Sequence, residues 1–342
     1  MTEISVEKAF RPIFVVGNSR SGTTLMGTVL GRHAAVFRFE ELHFFEELWS
    51  ATDSEESCSE EEAIALIAKL FDIQRNGYLT RGDWQDFLEE AKNLVNSLTP
   101  QLSPAKAFQA FLDYETQLQN KTRACDQTPQ NILYIKEILT HYPNASIVHM
   151  VRDPRAILLS QKNRWRRPFL SDSIPKKEAV RYWLNYHPIT MSQLWKANVQ
   201  TVDGFIEDER VYTLRYEDLL NSPEEAVEKV CEFAGITFSP EMLKVPQVNS
   251  SSQKDQPKRE GINKDRADSW KKGGLTATEM FLCQRINQTL MDIHGYAAEP
   301  LSPNPLMVAI SVLLFPIKLS LAILFSLKRM KNLGEAIKRR LK

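Results

Sequence analysis

The sequence predicts an α/β fold, in which β-strands and helices alternate along the chain. Apolar, β-branched runs typical of strands begin at Ile13, Ser146 and Val211. A helix-start signal follows each run: a Gly/Ser loop after the first, Asp-Pro after the second and Ser-Pro after the third. With 342 residues, 43% hydrophobic and 25% charged, the chain can bury a large core. We expect one large α/β domain, alone or with appendages.

The first strand leads into a loop that is typical of a phosphate site. Residues 13–16 are Ile-Phe-Val-Val, and the Gly/Ser loop between Gly17 and Gly22 precedes apolar residues at helical spacing. At a helix start, unpaired backbone N–H groups and the helix dipole attract an anion, and glycine allows it to approach closely. The stretch therefore predicts a strand, an anion-binding loop and a helix.

This loop departs from the P-loop pattern Gly-x-x-x-x-Gly-Lys-Ser/Thr at the lysine. Gly17, Gly22 and Thr24 fit the pattern, but Thr23 stands at the lysine position and the cation is Arg20, inside the loop. Kinases and ATPases use that lysine on the β- and γ-phosphates, so its loss argues against both classes. The loop hydroxyl groups that could donate to an anion belong to Ser21, Thr23 and Thr24.

A second short strand is predicted at residues 35–39, and the carboxylates of Glu40 and Glu41 follow it. Open α/β sheets bind ligands at the carboxyl ends of their strands, although a solvated acidic helix start is the alternative interpretation of Glu40 and Glu41.

Residues 53–121 are predicted to form an acidic, mostly helical insertion. Within it, Asp72 to Asp83 imitates a calcium-binding EF-hand loop, but Gln74 and Asp83 depart from the ligand pattern, which favours a plain helix-turn-helix connection.

The run from Ser146 ends at Arg152, and the Asp153-Pro154 pair after it is a strong helix start. Ser160 and Arg164 lie one helical turn apart in this helix and share a face. In a rival interpretation Asp153 is a Walker B magnesium ligand, but that site also needs the missing P-loop lysine.

Helices are predicted in the second half at residues 176–198, after Ser222 and at residues 276–294. The Ser222/Glu225 and Thr276/Glu279 pairs are predicted capping boxes, and Gly235 fits a helix end. Residues 245–274 read as a solvated loop. The buried stripe expected for the first helix consists of Val180, Trp183, Leu184, Met191, Leu194 and Trp195.

The chain closes with an apolar run, residues 305–327, and a basic one, residues 328–342 with seven Lys/Arg and one Glu. Because the whole chain is neutral, the body carries a net charge of −6, which argues against a nucleic-acid partner. We expect segment 305–342 to associate with a membrane. Because Pro316 and Lys318 interrupt the apolar run, three arrangements stay open: the segment spans the membrane, lies in its interface or re-enters it. A soluble core or dimer helix is the alternative.

The four cysteines have no Cys-x-x-Cys spacing and the N-terminus has no signal-peptide pattern, so we expect a cytoplasmic protein without disulfides or zinc.

Four features of this sequence resemble the PAPS-dependent sulfotransferases and occur in the same order. They are the Arg20-Ser-Gly-Thr-Thr loop, Glu41, the Arg152/Ser160 pair and Tyr216-Glu-Asp-Leu. The loop has the form found in tyrosylprotein and many bacterial members, which use 3′-phosphoadenosine-5′-phosphosulfate (PAPS). The resemblance covers residues 11–295 and implies a P-loop-like central parallel sheet flanked by helices. It places a sulfotransferase-like domain at residues 11–299, with 53–121 as its helical insertion.

The resemblance also implies roles for individual residues. Glu41 is the expected general base. Arg20 with the loop N–H groups is expected to hold the 5′-phosphosulfate and, as a catalytic residue, to stabilise the charge that grows on the bridging oxygen. Arg152 and Ser160 are expected to hold the 3′-phosphate. The remaining expected nucleotide contacts are Ser21, Gly22, Thr23, Thr24, Arg164, Tyr216, Ser269 and Trp270. Gln127 stands where many members have lysine, a departure that puts the rate in question.

The implied reaction transfers a sulfuryl group from PAPS to a hydroxyl or amine of a carbohydrate, lipid or other acceptor, with no metal. Two alternatives stay open. A phosphotransferase would use Mg-ATP, and a noncatalytic membrane-bound protein would bind the nucleotide without transfer. The sequence leaves the acceptor and the oligomeric state open.

Overall fold

The structure is a computed structural model that describes residues 10–50, 58–98, 102–170, 175–176, 178–247 and 260–326. The basic segment 328–342 and residues 248–259 of the predicted loop lie outside the described residues. The strands are β1 (Ile13–Gly17), β2 (Val36–Arg38), β3 (Arg123–Asp126), β4 (Ser146–Val151) and β5 (Val211–Arg215). The α-helices are α1 (Thr23–Gly31), α2 (Glu60–Asn76), α3 (Leu88–Asn96), α4 (Pro104–Leu118), α5 (Ile135–His141), α6 (Pro154–Lys162), α7 (Arg167–Leu170), α8 (Glu178–Asn185), α9 (Pro188–Asp203), α10 (Tyr216–Asn221), α11 (Pro223–Ala234), α12 (Ala277–Ile293) and α13 (Pro305–Ser326).

Within the described residues the strands form one parallel sheet in the order β2, β3, β1, β4, β5, which confirms the predicted fold class. The central strand β1 pairs with β3 on one side and with β4 on the other. The chain therefore leaves β1 toward one edge of the sheet and returns to its other side at β4. The carboxyl end of β1 is the point where the strand order reverses, and sheets of this kind bind ligands there.

Both faces of the sheet are covered, as parallel sheets require. Phe14 and Val16 of β1 face a core formed with α2, α3 and α4. Ile13 and Val15 face the opposite core, formed with α1, α10 and α11. This alternation holds β1 rigidly from both sides, so the loop at its end starts from a fixed position.

Two predicted helix starts form as expected and one does not. Asp153 accepts a hydrogen bond from the backbone N–H of Arg155 and caps α6, and Thr276 forms its capping box with Glu279. Ser222 makes no side-chain cap, so the capping box predicted for α11 is wrong. Pro154 and Pro223 nevertheless begin their helices, because proline fixes the backbone angle φ near its helical value.

The predicted helix 176–198 is two helices, α8 and α9, separated before Pro188. Trp195 is buried as predicted, but Val180 and Trp183 are 56% and 57% exposed, so their assignment to a buried stripe is wrong. The break at Pro188 rotates α8 relative to α9, so one helical stripe does not run through both.

The EF-hand-like stretch is a connection between α2 and the helices after it. The buried carboxylate of Asp72 accepts hydrogen bonds from the backbone N–H of Gly82 and the side-chain amide of Asn76, both at 2.8 Å. Asp72 therefore stabilises the turn itself.

Helix α13 is the one helix among the described residues that is long and apolar enough to cross a membrane, with a mean hydropathy of 2.4. One of its faces packs on α8, α9 and α12. On that face the ammonium group of Lys318 lies 4.7 Å from the centre of the Trp183 ring. The opposite face is apolar, with Leu313 73% and Leu324 62% exposed. An exposed apolar face of this size suggests membrane association.

Candidate functional site

The anion loop lies at the carboxyl end of β1 and is fixed by its backbone conformation. Arg20 has φ +78° and Gly22 has φ +96°, both in the left-handed region. A Cβ on Gly22 would stand 2.3 Å from Cδ2 of the Tyr216 ring, so glycine is required both by conformation and by space. No side chain caps the start of α1, which leaves its first N–H groups for a ligand.

Several buried polar atoms around this loop fit an anionic ligand. Ser21 Oγ, Asn18 Nδ2 and Arg152 Nε are buried and have no hydrogen-bond partner within the described residues. Buried donors are rarely left without partners, because each costs about 1–3 kcal/mol. These three atoms and the start of α1 therefore form a set of donors suited to phosphate or sulfate groups.

Arginine side chains converge on the same loop. Nε of Arg20 donates to Oγ of Ser160 at 3.0 Å, and Arg152 donates to the backbone oxygen of Arg20 at 3.0 Å. The guanidinium of Arg152 also lies 4.2 Å from the centre of the Tyr216 ring. Burial, followed by the positive charges of Arg164 and Arg152, lowers the pKa of Arg20 to about 10, so it stays protonated at neutral pH. The cluster is strongly attractive to anions.

These side chains border a cavity, which we call the donor cavity. Eight predicted site residues line it: Arg20, Gly22, Thr23, Thr24, Glu41, Arg152, Arg164 and Tyr216. Ser21 is fully buried in the loop, and Ser160 reaches the site through Arg20. Part of the remaining lining comes from the predicted loop at residues 245–274, through Gln247, Asn263 and Arg266.

Two of the predicted nucleotide contacts lie elsewhere. Ser269 and Trp270 do not line the donor cavity, and the Trp270 ring packs 3.9 Å from the guanidinium of Arg155. Arg155 in turn forms a buried ion pair with Asp153, at 2.7 Å. Asp153 therefore already has a cationic partner and a capping role, which argues against a magnesium ligand at this position.

Glu41 lies at the edge of the donor cavity beside a histidine that the sequence did not single out. Oε2 of Glu41 is 3.5 Å from Nε2 of His43, whose Nδ1 is 2.9 Å from Glu46. Burial alone would lower the pKa of His43, but the hydrogen bonds and charges of Glu41 and Glu46 raise it to about 9. A protonated His43, whose ring centre lies 4.0 Å from that of Tyr78, therefore stands next to Glu41 at neutral pH.

The segment that carries Glu41 is held by a buried network after β3. Asp126 accepts hydrogen bonds from the hydroxyl and backbone N–H of Thr128 and from the side chain of Asn131. The Thr128 hydroxyl oxygen accepts a hydrogen bond from the backbone N–H of Leu42 at 2.9 Å. Thr128 thereby joins the end of β3 to the residue that follows Glu41.

We expect replacement of Thr128 by valine to destabilise the fold by about 1–3 kcal/mol, because it leaves the buried N–H of Leu42 without a partner. Urea denaturation measures this loss. The matched control is Thr140→Val, which removes an exposed hydroxyl that bonds only within its own helix. Equal losses in the two variants would contradict a structural role for the Thr128 hydroxyl.

A second and larger cavity, here called the acceptor cavity, joins the donor cavity at Glu41. The residues that line both are Ser19, Arg20, Thr24, Glu41, Pro129 and Arg164. Beyond this junction the acceptor cavity passes His43 and Tyr78, and its lining includes residues of α8, α9 and α13. Gln127, at the position of the missing lysine, also lines it, as do Arg164 and Arg167.

A parallel α/β sheet with an arginine-bearing anion loop at its switch point is a framework that suits a phosphate- or sulfate-bearing ligand. The chain belongs to the sulfotransferase family, whose family model matches residues 12–240.

Of three proteins similar to this chain, two carry sulfotransferase names. An uncharacterized protein of Aquifex aeolicus (strain VF5) is 26% identical over 77% of this chain, which spans only 30% of that protein's length. A Caenorhabditis briggsae protein, named as a candidate protein-tyrosine sulfotransferase, is 25% identical over 68% of each chain. The solved sulfotransferase domain from the curacin biosynthetic pathway has the same fold, with a TM-score of 0.51 and 21% identity over 85% of this chain and 100% of that one.

Proposed function

We propose that this enzyme transfers the sulfuryl group of PAPS to a hydroxyl group of an acceptor bound in the acceptor cavity. The observation that carries the proposal is the junction of the two cavities. An anion loop and arginines line one side, a carboxylate lies at the junction, and the acceptor side is open to a second molecule. The two substrates of a direct transfer have to meet in this way.

The donor would be held by charge and by buried donors. Ser21 Oγ and the first N–H groups of α1 suit the 5′-phosphosulfate, and Arg152 suits the 3′-phosphate because its Nε is buried without a partner in the described residues. Ser160 would support Arg20, whose side chain it already contacts. Tyr216, under the Arg152 guanidinium, would hold that side chain in place.

In the transfer itself, the acceptor oxygen forms a bond to sulfur while the bond from sulfur to the bridging phosphate oxygen breaks. Glu41 takes the proton of the acceptor hydroxyl, and the electron pair of the broken bond stays on the departing 3′-phosphoadenosine-5′-phosphate (PAP). Arg20 and Arg164 line both cavities and would stabilise the charge that grows on the bridging oxygen. They would supply the cation that Gln127 does not.

Calorimetry of the full chain in detergent, with PAP, AMP and Mg-ATP as ligands, tests the donor. We expect PAP to bind without Mg²⁺ and more tightly than AMP, because only PAP carries a 3′-phosphate for Arg152. A preference for Mg-ATP would instead favour a phosphotransferase, although Asp153 is already paired with Arg155. Tight PAP binding without sulfuryl transfer to any hydroxyl acceptor would favour the noncatalytic alternative.

A further inference from the structure

The acceptor cavity extends from the reaction site to the apolar helix α13. At one end it is lined by Arg20 and Glu41, and its wall also includes Ala322 and Ile323 of α13. Met191 and Leu194 of α9, on which α13 packs, add further apolar surface. A single cavity therefore connects the general base with the helix that the sequence marks as membrane-seeking. This lining suits an amphiphile, with a polar head and an apolar tail.

The orientation of α13 favours a membrane surface on its outer side. Lys318, the charge within the helix, is turned toward Trp183 and Tyr186, so the outward face stays apolar. The exposed Trp183 and Val180 of α8 lie on the element that α13 packs against. A helix with one face on the protein, an apolar outer face and a basic segment after it in the sequence is suited to lie in the interface of a bilayer.

The polar part of the cavity suits a sugar. Glu46 and Glu47 line it; their carboxylates are paired with His43 and Arg81, and a carboxylate has further lone pairs that can accept a hydrogen bond from a sugar hydroxyl. Gln130, Gln161 and Asn185 also line it, and their carboxamides both donate and accept hydrogen bonds, as the hydroxyl groups of a sugar do. Arg20 and Arg164 also line the donor cavity, where the nucleotide and the sulfuryl group require them.

We infer that the acceptor is a glycolipid, which enters from the membrane along α13 and presents a sugar hydroxyl to Glu41. This inference rests on the proposed function. The tail of the glycolipid contacts Ala322 and Ile323, and its headgroup lies beside Glu41. The membrane contact of α13 then places the cavity where such a lipid is concentrated.

Radiolabelled PAPS tests the inference with the full chain. The acceptors are phosphatidylcholine vesicles that contain galactosyl diacylglycerol, glucosyl diacylglycerol or glucosylceramide, and the water-soluble methyl glycosides of the same sugars. We expect at least one of these glycolipids to be labelled about tenfold or more faster than its methyl glycoside, because the tail adds buried methylene groups. Equal labelling of lipid and methyl glycoside overturns the inference.

A matched pair of variants tests the entry path. Ala322→Trp fills the cavity wall, whereas Ala309→Trp adds the same side chain to the exposed side of the same helix. We expect Ala322→Trp to lower lipid labelling about tenfold or more while PAP affinity stays unchanged, and Ala309→Trp to leave both unchanged. Unchanged lipid labelling in Ala322→Trp overturns the inference. If PAP binds but no glycolipid is labelled, the inference alone fails; if PAP does not bind, the proposed function fails as well.

Discussion

Replacing Glu41 by glutamine is expected to lower the sulfuryl-transfer rate by about 10²- to 10⁴-fold. Glutamine keeps the shape of the side chain but cannot take the proton from the acceptor hydroxyl. PAP binding should stay nearly unchanged, because the groups proposed to bind its phosphates lie in the anion loop and on Arg152. Turnover with the best acceptor of the panel and calorimetry with PAP measure the two effects separately.

Glu40→Gln is the matched control for this experiment. Glu40 also borders the acceptor cavity, but its carboxylate forms an ion pair with Arg38 at 2.9 Å. Since an exposed ion pair contributes at most about 1 kcal/mol, we expect this variant to keep its turnover within about fivefold. Full activity of Glu41→Gln would remove Glu41 from the mechanism. Glu46, which also contacts His43, would then be the carboxylate to test next.

Local sequence patterns predicted the strands and helices that frame the donor cavity. The β1 loop and the end of β4 each combine an apolar run with a strong turn or helix-start signal, and those signals act over a few neighbouring residues. The roles expected for Arg20, Arg152 and Tyr216, which are far apart in the sequence, came from the order of the motifs that resemble the sulfotransferases. The parallel sheet brings them together at the carboxyl ends of its strands.

Features that depend on distant contacts were missed. Strand β3 has only four residues, Arg-Ala-Cys-Asp, without a clear apolar alternation, and it is a strand because β1 and β2 pair with it on both sides. His43 owes its raised pKa to Glu41 and Glu46, its neighbours in the sequence, but its contact with the Tyr78 ring comes from a distant segment. The exposure of Trp183 could not be read from α8 alone, since the break before Pro188 decides which way that helix faces.

Replacing Arg152 by alanine is expected to weaken PAP binding by about 100-fold or more, while AMP binding changes much less. Charge-assisted hydrogen bonds to a phosphate contribute about 1.5–3 kcal/mol each, and only PAP has the 3′-phosphate that Arg152 would contact. Calorimetry with both nucleotides on both proteins gives the four affinities of a complete cycle. The quantity that identifies a 3′-phosphate contact is the change in the PAP/AMP ratio.

That ratio also separates recognition from support of the loop. Arg152 donates to the backbone oxygens of Arg20 and Arg266, so its loss could loosen the site for every nucleotide. A purely supporting role would weaken PAP and AMP equally and would contradict the proposed contact. Arg166→Ala, which removes an exposed positive charge outside the donor cavity, controls for the change in net charge and should preserve the ratio. Arg152→Lys keeps the charge but not the planar fork of the guanidinium, so an intermediate ratio would point to a bidentate contact with the phosphate.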